Sequence, residues 1–309
     1  MDIMIIIILL ILTGYLSKYL KILKEQDRTV LNNIVVYIAM PSTIFLTIMS
    51  NVSPSDLPQY IKLPFLIFIT FALCGGIGYI IGRLLKLNKE SLGGLILVCG
   101  LANTGFLGYP IIYGFYGSEG LSRAIFCDMG GVFTSLLFGT YVGITFGRSN
   151  IDKNKNVLKS VITELLKFPP LITAMISVLL ILLGVSISNL PEYFTNTLSY
   201  LSNATIPLIM ISLGLSLSPS SAKFGMKFGL IATIVRMGIA PLIMLGSSII
   251  FSMGGLEKNV LLLESAMPSA MMSLVFAVLY DLDVKLVASA CFITTVISFA
   301  ILPIIYSLL

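Results

Sequence analysis

The chain contains no histidine, and only 11% of its 309 residues are charged. Without histidine the commonest general base is missing, and no GxSxG, Walker-type or HExxH string takes its place. An enzyme is therefore the weakest reading. Cysteine is scarce as well: Cys74, Cys99, Cys127 and Cys291 stand singly inside apolar blocks, with no CxxC pair. Neither a zinc set nor a disulfide framework is indicated, and no metal or other cofactor is expected.

The shortage of charge excludes a soluble fold, whose surface needs about 25% charged residues. Here 57% of the residues are hydrophobic and the mean hydropathy is +1.03. The apolar residues fall in blocks of roughly 18 to 25, the length a helix needs to cross about 30 Å of hydrocarbon. The first block, Ile3 to Leu20, has no basic residue before it and is too long for the core of a signal peptide. It reads as a first membrane span. The fold class is thus an all-α polytopic membrane protein, with spans near 3–20, 30–50, 62–85, 91–116, 120–147, 168–187, 196–217, 228–252, 259–280 and 285–308. That is ten crossings of a lipid bilayer, expected to be the cell membrane.

The net charge of +5 does not point to nucleic acid, because the basic residues lie between apolar blocks and form no patch. They read as topology signals. The odd-numbered connections hold 15 Lys and Arg, among them Lys18, Lys21, Lys24, Arg28 and, between 148 and 167, Arg148, Lys153, Lys155, Lys159 and Lys167; the even ones hold Lys62, Arg123 and Lys258. The positive-inside bias then puts the odd loops in the cytoplasm and both termini outside.

Five spans on each side of the 148–167 loop give two halves, 1–147 and 168–309, of opposite orientation. Weak similarity links them. Span two reads YIAMPSTIFLTIMSNVSPS and span seven NATIPLIMISLGLSLSPSS. Span four, GLANTGFLGYPIIYGFYG, and span nine, SAMPSAMMSLVFAVLYDL, each interrupt an apolar helix with Gly, Pro and small polar residues at mid-depth. Two broken helices in corresponding places are the best sequence-level pointer to a transporter's binding site.

Irregular backbone in hydrocarbon survives only where protein, water or ligand satisfies it. A half-helix that starts at a break offers free N–H groups and the positive end of a dipole to an anion, while opposed carbonyl ends suit a cation. The candidate binding residues are therefore Asn103, Thr104, Gly105, Gly108 and Pro110 in span four, and Pro268, Ser269 and Ala270 in span nine. The plainer alternative is that these residues only kink packed helices. Tyr109, Tyr113, Phe115 and Tyr116 either line the site or anchor span ends. Gly139, Gly143 and Gly147 permit close helix packing.

Three ionisable residues fall well inside spans: Asp128, Arg236 and Glu264. Such groups face a pathway or pair with one another. Glu264, one turn before Pro268, either exchanges a proton as access alternates or forms a structural pair with Arg236. Asp128 has the further option of steadying the break in span four.

These motifs resemble those of the auxin efflux carrier family, which includes plant exporters and prokaryotic permeases, within the superfamily of bile acid/sodium symporters. The likeness covers nearly the whole chain: ANTGFLGYP in span four, AMPSAMMSLVFAVLY in span nine, VRMGIAPLIM with Arg236 and Pro241 in span eight, and MISLGLSL in span seven. Unlike the plant exporters, the chain has only a short basic loop between its halves, and Ser273 stands where some members carry a second proline. The resemblance implies two inverted repeats of five helices crossed at spans four and nine, and a homodimer. It also implies a scaffold of spans 1, 2, 6 and 7 and a mobile transport unit of spans 3–5 and 8–10, moving as an elevator. The expected activity is secondary transport of a small organic anion, auxin-like or a dicarboxylate, driven by protons or by the membrane potential. Sodium-coupled symport and a membrane sensor that binds without turnover are the alternatives.

Overall fold

A computed structural model describes residues 2–148, 157–217 and 225–309. The middle of the 148–167 connection, with Lys153 and Lys155, lies outside the described residues, as do Pro219 and Lys223. The described chain is nearly all helical. In order, the helices are α1 (Asp2–Tyr19), α2 (Asp27–Ile34), α3 (Met40–Asn51), α4 (Leu57–Tyr60), α5 (Lys62–Leu84), α6 (Lys89–Gly100), α7 (Tyr109–Phe146) and α8 (Val157–Leu165). They continue with α9 (Pro169–Leu182), α10 (Glu192–Asn203), α11 (Thr205–Ser216), α12 (Met226–Thr233), α13 (Ala240–Ile250), α14 (Gly255–Ser265), α15 (Met272–Leu279) and α16 (Val284–Ser307).

Six helical segments among the described residues are long and apolar enough to cross a membrane: 27–51, 57–84, 104–146, 192–216, 226–250 and 284–307. The remaining expected spans are shorter or interrupted. α1 and α9 are apolar but short, and the segments at 89–108 and 255–279 are broken in the middle. The 104–146 segment is itself two helices, because Gly117 adopts φ 63°, ψ −156° inside it. That left-handed turn, which glycine makes at little steric cost, separates the expected fourth and fifth spans.

Three wide π-turns recur with one cause. They occupy Val35–Ala39, Thr104–Gly108 and Ile234–Ile239, and each ends two residues before a proline, Pro41, Pro110 or Pro241. Proline cannot donate to the carbonyl four residues back, and its ring crowds that carbonyl. Widening the turn relieves the clash without ending the helix. Accordingly Met40 N–H bonds the Val35 carbonyl and Ala240 N–H bonds that of Val235, five residues back rather than four.

The residues cluster into two compact units. One gathers 1–61, 105–126 and 165–217. In it α1 and α11 approach backbone to backbone. A Cβ on Gly14 would lie 2.2 Å from the Ile211 carbonyl oxygen, and one on Gly214 would lie 2.1 Å from that of Ile11. Without a hydrophobic drive between helices in lipid, such close contact supplies the association energy. The Lys18 ammonium completes it by donating to the carbonyls of Leu215 (2.8 Å) and Leu217 (2.6 Å) at the C-terminal end of α11.

The second unit gathers 62–104, 127–164 and 218–309. α5 and α6 form a hairpin whose turn is closed by Asn88, its side chain accepting from Ser91 N–H at 2.9 Å. The glycines at 139, 143 and 147 have a specific use here. The Phe276 ring lies against Gly139 and the Tyr280 ring against Gly143, while Gly147 meets the Tyr280 carbonyl. Tyr280 is buried, so it packs as core and does not anchor a span end.

Replacing Gly214 by alanine should cost about 1–3 kcal/mol through overpacking and lower the thermal midpoint of the detergent-solubilised protein. Gly246→Ala, where a Cβ meets nothing within 4 Å, should leave that midpoint unchanged. Melting curves of the two variants check both outcomes.

Candidate functional site

Two interruptions meet within the second unit. α6 stops at Gly100, where Leu101 turns extended (φ −107°, ψ 126°), and α14 stops at Ser265, with six residues between it and the start of α15 at Met272. Pro268 lies in the second gap and has no N–H with which to continue a helix. The loose strands then pair with each other. Ala102 and Ser269 form an antiparallel bridge, flanked by Asn103 N–H to the Pro268 carbonyl (2.9 Å) and Ala270 N–H to the Leu101 carbonyl (2.9 Å). Each break thus supplies the hydrogen bonds that the other lost.

The helix ends at the crossing are capped by side chains from elsewhere. Ser269 Oγ donates to the Val98 carbonyl at 2.7 Å and Ser273 Oγ to that of Leu97 at 3.4 Å, both in the last turn of α6. At the end of α14, Arg236 donates from Nη2 to the Ser265 carbonyl (2.8 Å) and from Nε to that of Met267 (3.3 Å). Its guanidinium lies 4.5 Å from the Phe71 ring centroid, and the residue has no exposed surface. A cation at a helix C-terminus meets the negative end of the dipole. Thr294 of α16 adds a hydroxyl that accepts from Ser269 N–H at 3.2 Å.

This arrangement decides between the options for the three ionisable residues. Arg236 and Glu264 form no ion pair among the described residues: the arginine is held by carbonyls, and neither Glu264 carboxyl oxygen has a hydrogen-bond partner although the residue is fully buried. The structural pair expected as one option is therefore not formed, because the carbonyls at the end of α14 take the guanidinium first. Asp128 does steady the first break. Its Oδ1 accepts from Thr104 Oγ1 at 2.6 Å, and Gly131 leaves just enough room for that hydroxyl.

Of the candidate binding residues, Asn103, Thr104, Pro268, Ser269 and Ala270 come together at the crossing. Gly105, Gly108 and Pro110 belong to the other unit, in the π-turn and the first turn of α7. Ser269 is spent on capping, through both its hydroxyl and its N–H. Asn103 is different. It is 6% exposed, and its side-chain Nδ2 has no hydrogen-bond partner among the described residues. That donor stands beside the bridge, next to the start of a helix at Thr104.

A family model described as membrane transport protein matches residues 1–306 of this chain. The chain belongs to the auxin efflux carrier family. An uncharacterized transporter of Methanocaldococcus jannaschii is 52% identical over 98% of this chain and 96% of its own length. Another, from Methanothermobacter thermautotrophicus, is 37% identical over 96% of this chain and 94% of its own. The auxin efflux carrier component 3a of Oryza sativa is 28% identical over 39% of this chain and 20% of its own length. This carrier is therefore a multi-pass membrane transporter and not an enzyme.

Several residues of the carrier's site carry no sequence motif of their own. Ser273, whose hydroxyl donates to the Leu97 carbonyl, and Thr294, whose hydroxyl accepts from Ser269 N–H, are small polar residues in apolar helices, indistinguishable by pattern from Ser248, whose hydroxyl has no partner among the described residues. Arg236→Met should leave the Ser265 and Met267 carbonyls buried without donors, at about 1–3 kcal/mol each, and lower the thermal midpoint sharply. Ser248→Ala removes a buried hydroxyl that has no partner and should be neutral or stabilising. Thermal unfolding of both variants in detergent separates a capping arginine from a merely buried one.

Proposed function

We propose that the transporter carries a small organic anion, a mono- or dicarboxylate, bound at the crossing of the two breaks. The observation that carries this reading is the buried Asn103 Nδ2, a donor with no partner among the described residues, held beside the bridged strands. Asn103 donates to one carboxylate oxygen. The positive end of the α15 dipole, at Met272, adds a field of the same sense. Thr104 keeps its hydroxyl on Asp128, which holds the asparagine's neighbour in register.

The wider frame is ten crossings in two inverted repeats, 1–147 and 168–309, joined by the basic 148–167 connection. Both termini lie outside in the cell membrane, and two copies form a homodimer. Spans 1, 2, 6 and 7 serve as scaffold against a mobile unit of spans 3–5 and 8–10, which moves as an elevator. The clustering of 1–61 with 165–217 supports the grouping of spans 1, 2, 6 and 7, while 105–126, assigned to the mobile unit, clusters with them; the paired breaks in the two halves support the repeat. The turn around Gly117 supports counting 104–146 as two crossings. No cofactor takes part.

Glu264 is the coupling residue in this reading. A carboxyl group fully buried without partners is a place where a proton is taken up in one facing state and released in the other. The same two unpartnered oxygens support a second reading, in which sodium rather than a proton is carried.

Fluxes of a panel of carboxylates into proteoliposomes test the proposal. Asn103→Ala should cut the flux of the transported anion about tenfold or more, the scale of one hydrogen bond to a charged group, and Glu264→Gln should abolish its response to an imposed pH gradient. Unchanged flux in Asn103→Ala would overturn the site. Flux that needs sodium and ignores pH would replace the proton by sodium.

A further inference from the structure

The first unit also holds a cavity, lined by residues of the expected spans two and seven and of the expected spans four and five on either side of Gly117. Its volume is about 380 Å³, and all the residues lining it belong to that unit. That volume lies within the range of small-molecule sites, roughly 300–1,000 Å³. None of the lining residues is charged; most are hydroxyl or amide residues.

The polar lining is built, not accidental. Thr43, Thr47 and Asn51 recur every fourth residue along α3, so they share one face of it. Thr43 Oγ1 is shared with Ser202 Oγ (3.0 Å) and Thr205 Oγ1 (2.8 Å), a chain of hydroxyls in which either partner can donate. Asn51 is fixed at the end of α3: its Nδ2 donates to the Thr47 carbonyl at 2.9 Å, and its Oδ1 accepts from Ser118 Oγ at 3.2 Å. Thr43, Thr47, Thr205 and Tyr109 are buried and form the floor, whereas Ser50, Ser118 and Asn203 are exposed at the rim. Tyr109 and Tyr113 add ring surface on one wall.

This chemistry selects its ligand. An ion in the cavity would lose hydration with no opposite charge to replace it. A neutral molecule with several hydroxyls exchanges its water bonds for hydroxyl and amide bonds one for one, because each hydroxyl of the wall both donates and accepts. Rings beside such groups cover the apolar C–H face that a cyclic polyol presents.

We propose that this cavity is a binding site for a small uncharged polyhydroxylated molecule of the sugar or cyclic polyol class, separate from the anion site at the crossing. Equilibrium binding to the purified full-length protein tests it, and does so independently of any anion flux. The probes are myo-inositol and D-glucose, with acetate and methylammonium as charged counterparts. The expected result is saturable binding of at least one neutral probe and none of the charged ones. Thr47→Val, which removes one wall hydroxyl at nearly constant volume, should weaken that binding at least fivefold, and Leu121→Phe, which fills the cavity from its apolar side, should abolish it. Both variants are read only if they elute as the parent does on gel filtration; Ser118→Ala, at the exposed rim, is the replacement should either fail and should also weaken binding. Absence of binding by both neutral probes would overturn the proposal. So would equal binding of the charged probes, or binding that none of the cavity variants changes.

Discussion

Everything at the centre of this transporter depends on one constraint: backbone groups in hydrocarbon must be paired. Two helices give up that pairing, at Leu101–Asn103 and at Ala266–Met271, and recover it from each other through the Ala102–Ser269 bridge. Each unpaired group at that depth would cost several kcal/mol. Neither break is stable without the other, so both are parts of one device. Ser269, Ser273 and Arg236 extend the same logic to the carbonyls that the two broken helices leave behind. Once these demands are met, little polar capacity is left over. Among the described residues, Asn103 Nδ2, Arg236 Nη1 and the two oxygens of Glu264 remain without partners there, and the proposed function rests on Asn103 and Glu264.

The prolines act through the same constraint at lower cost. At Pro41, Pro110 and Pro241 the helix widens into a π-turn and continues; at Pro268 it stops. The difference lies in what is available nearby. Beside Pro268 a second strand with unpaired groups accepts the broken chain, and Asn103 N–H bonds the proline's own carbonyl.

Much of this was legible in the sequence because hydrocarbon leaves few choices. The apolar blocks, the two breaks and the ionisable residues inside spans follow from composition and local pattern. The partners do not. Arg236 and Glu264 look like an ion pair in a one-dimensional reading, since both are charges in apolar helices. In the fold the arginine goes to carbonyls, which no side-chain pattern records. The stripe of Thr43, Thr47 and Asn51 was readable at helical spacing, but its meaning needed Ser202 and Thr205, some 160 residues away. The role of Gly139, Gly143 and Gly147 as seats for Phe276 and Tyr280 depended on long-range packing in the same way.

The pairing of the two breaks is most directly tested by cross-linking. Ala102 and Ser269 face each other as a non-hydrogen-bonded antiparallel pair, whose Cα atoms lie about 4.5 Å apart, within the reach of a disulfide. With Cys74, Cys99, Cys127 and Cys291 replaced by alanine, the double variant Ala102→Cys with Ser269→Cys should form an intramolecular disulfide on mild oxidation, detected by mass spectrometry of the joined peptides. Ala102→Cys with Ala270→Cys, one residue out of register and directed to the opposite face, should not. A disulfide in the second variant but not the first, or in neither, would contradict the crossing on which the account rests.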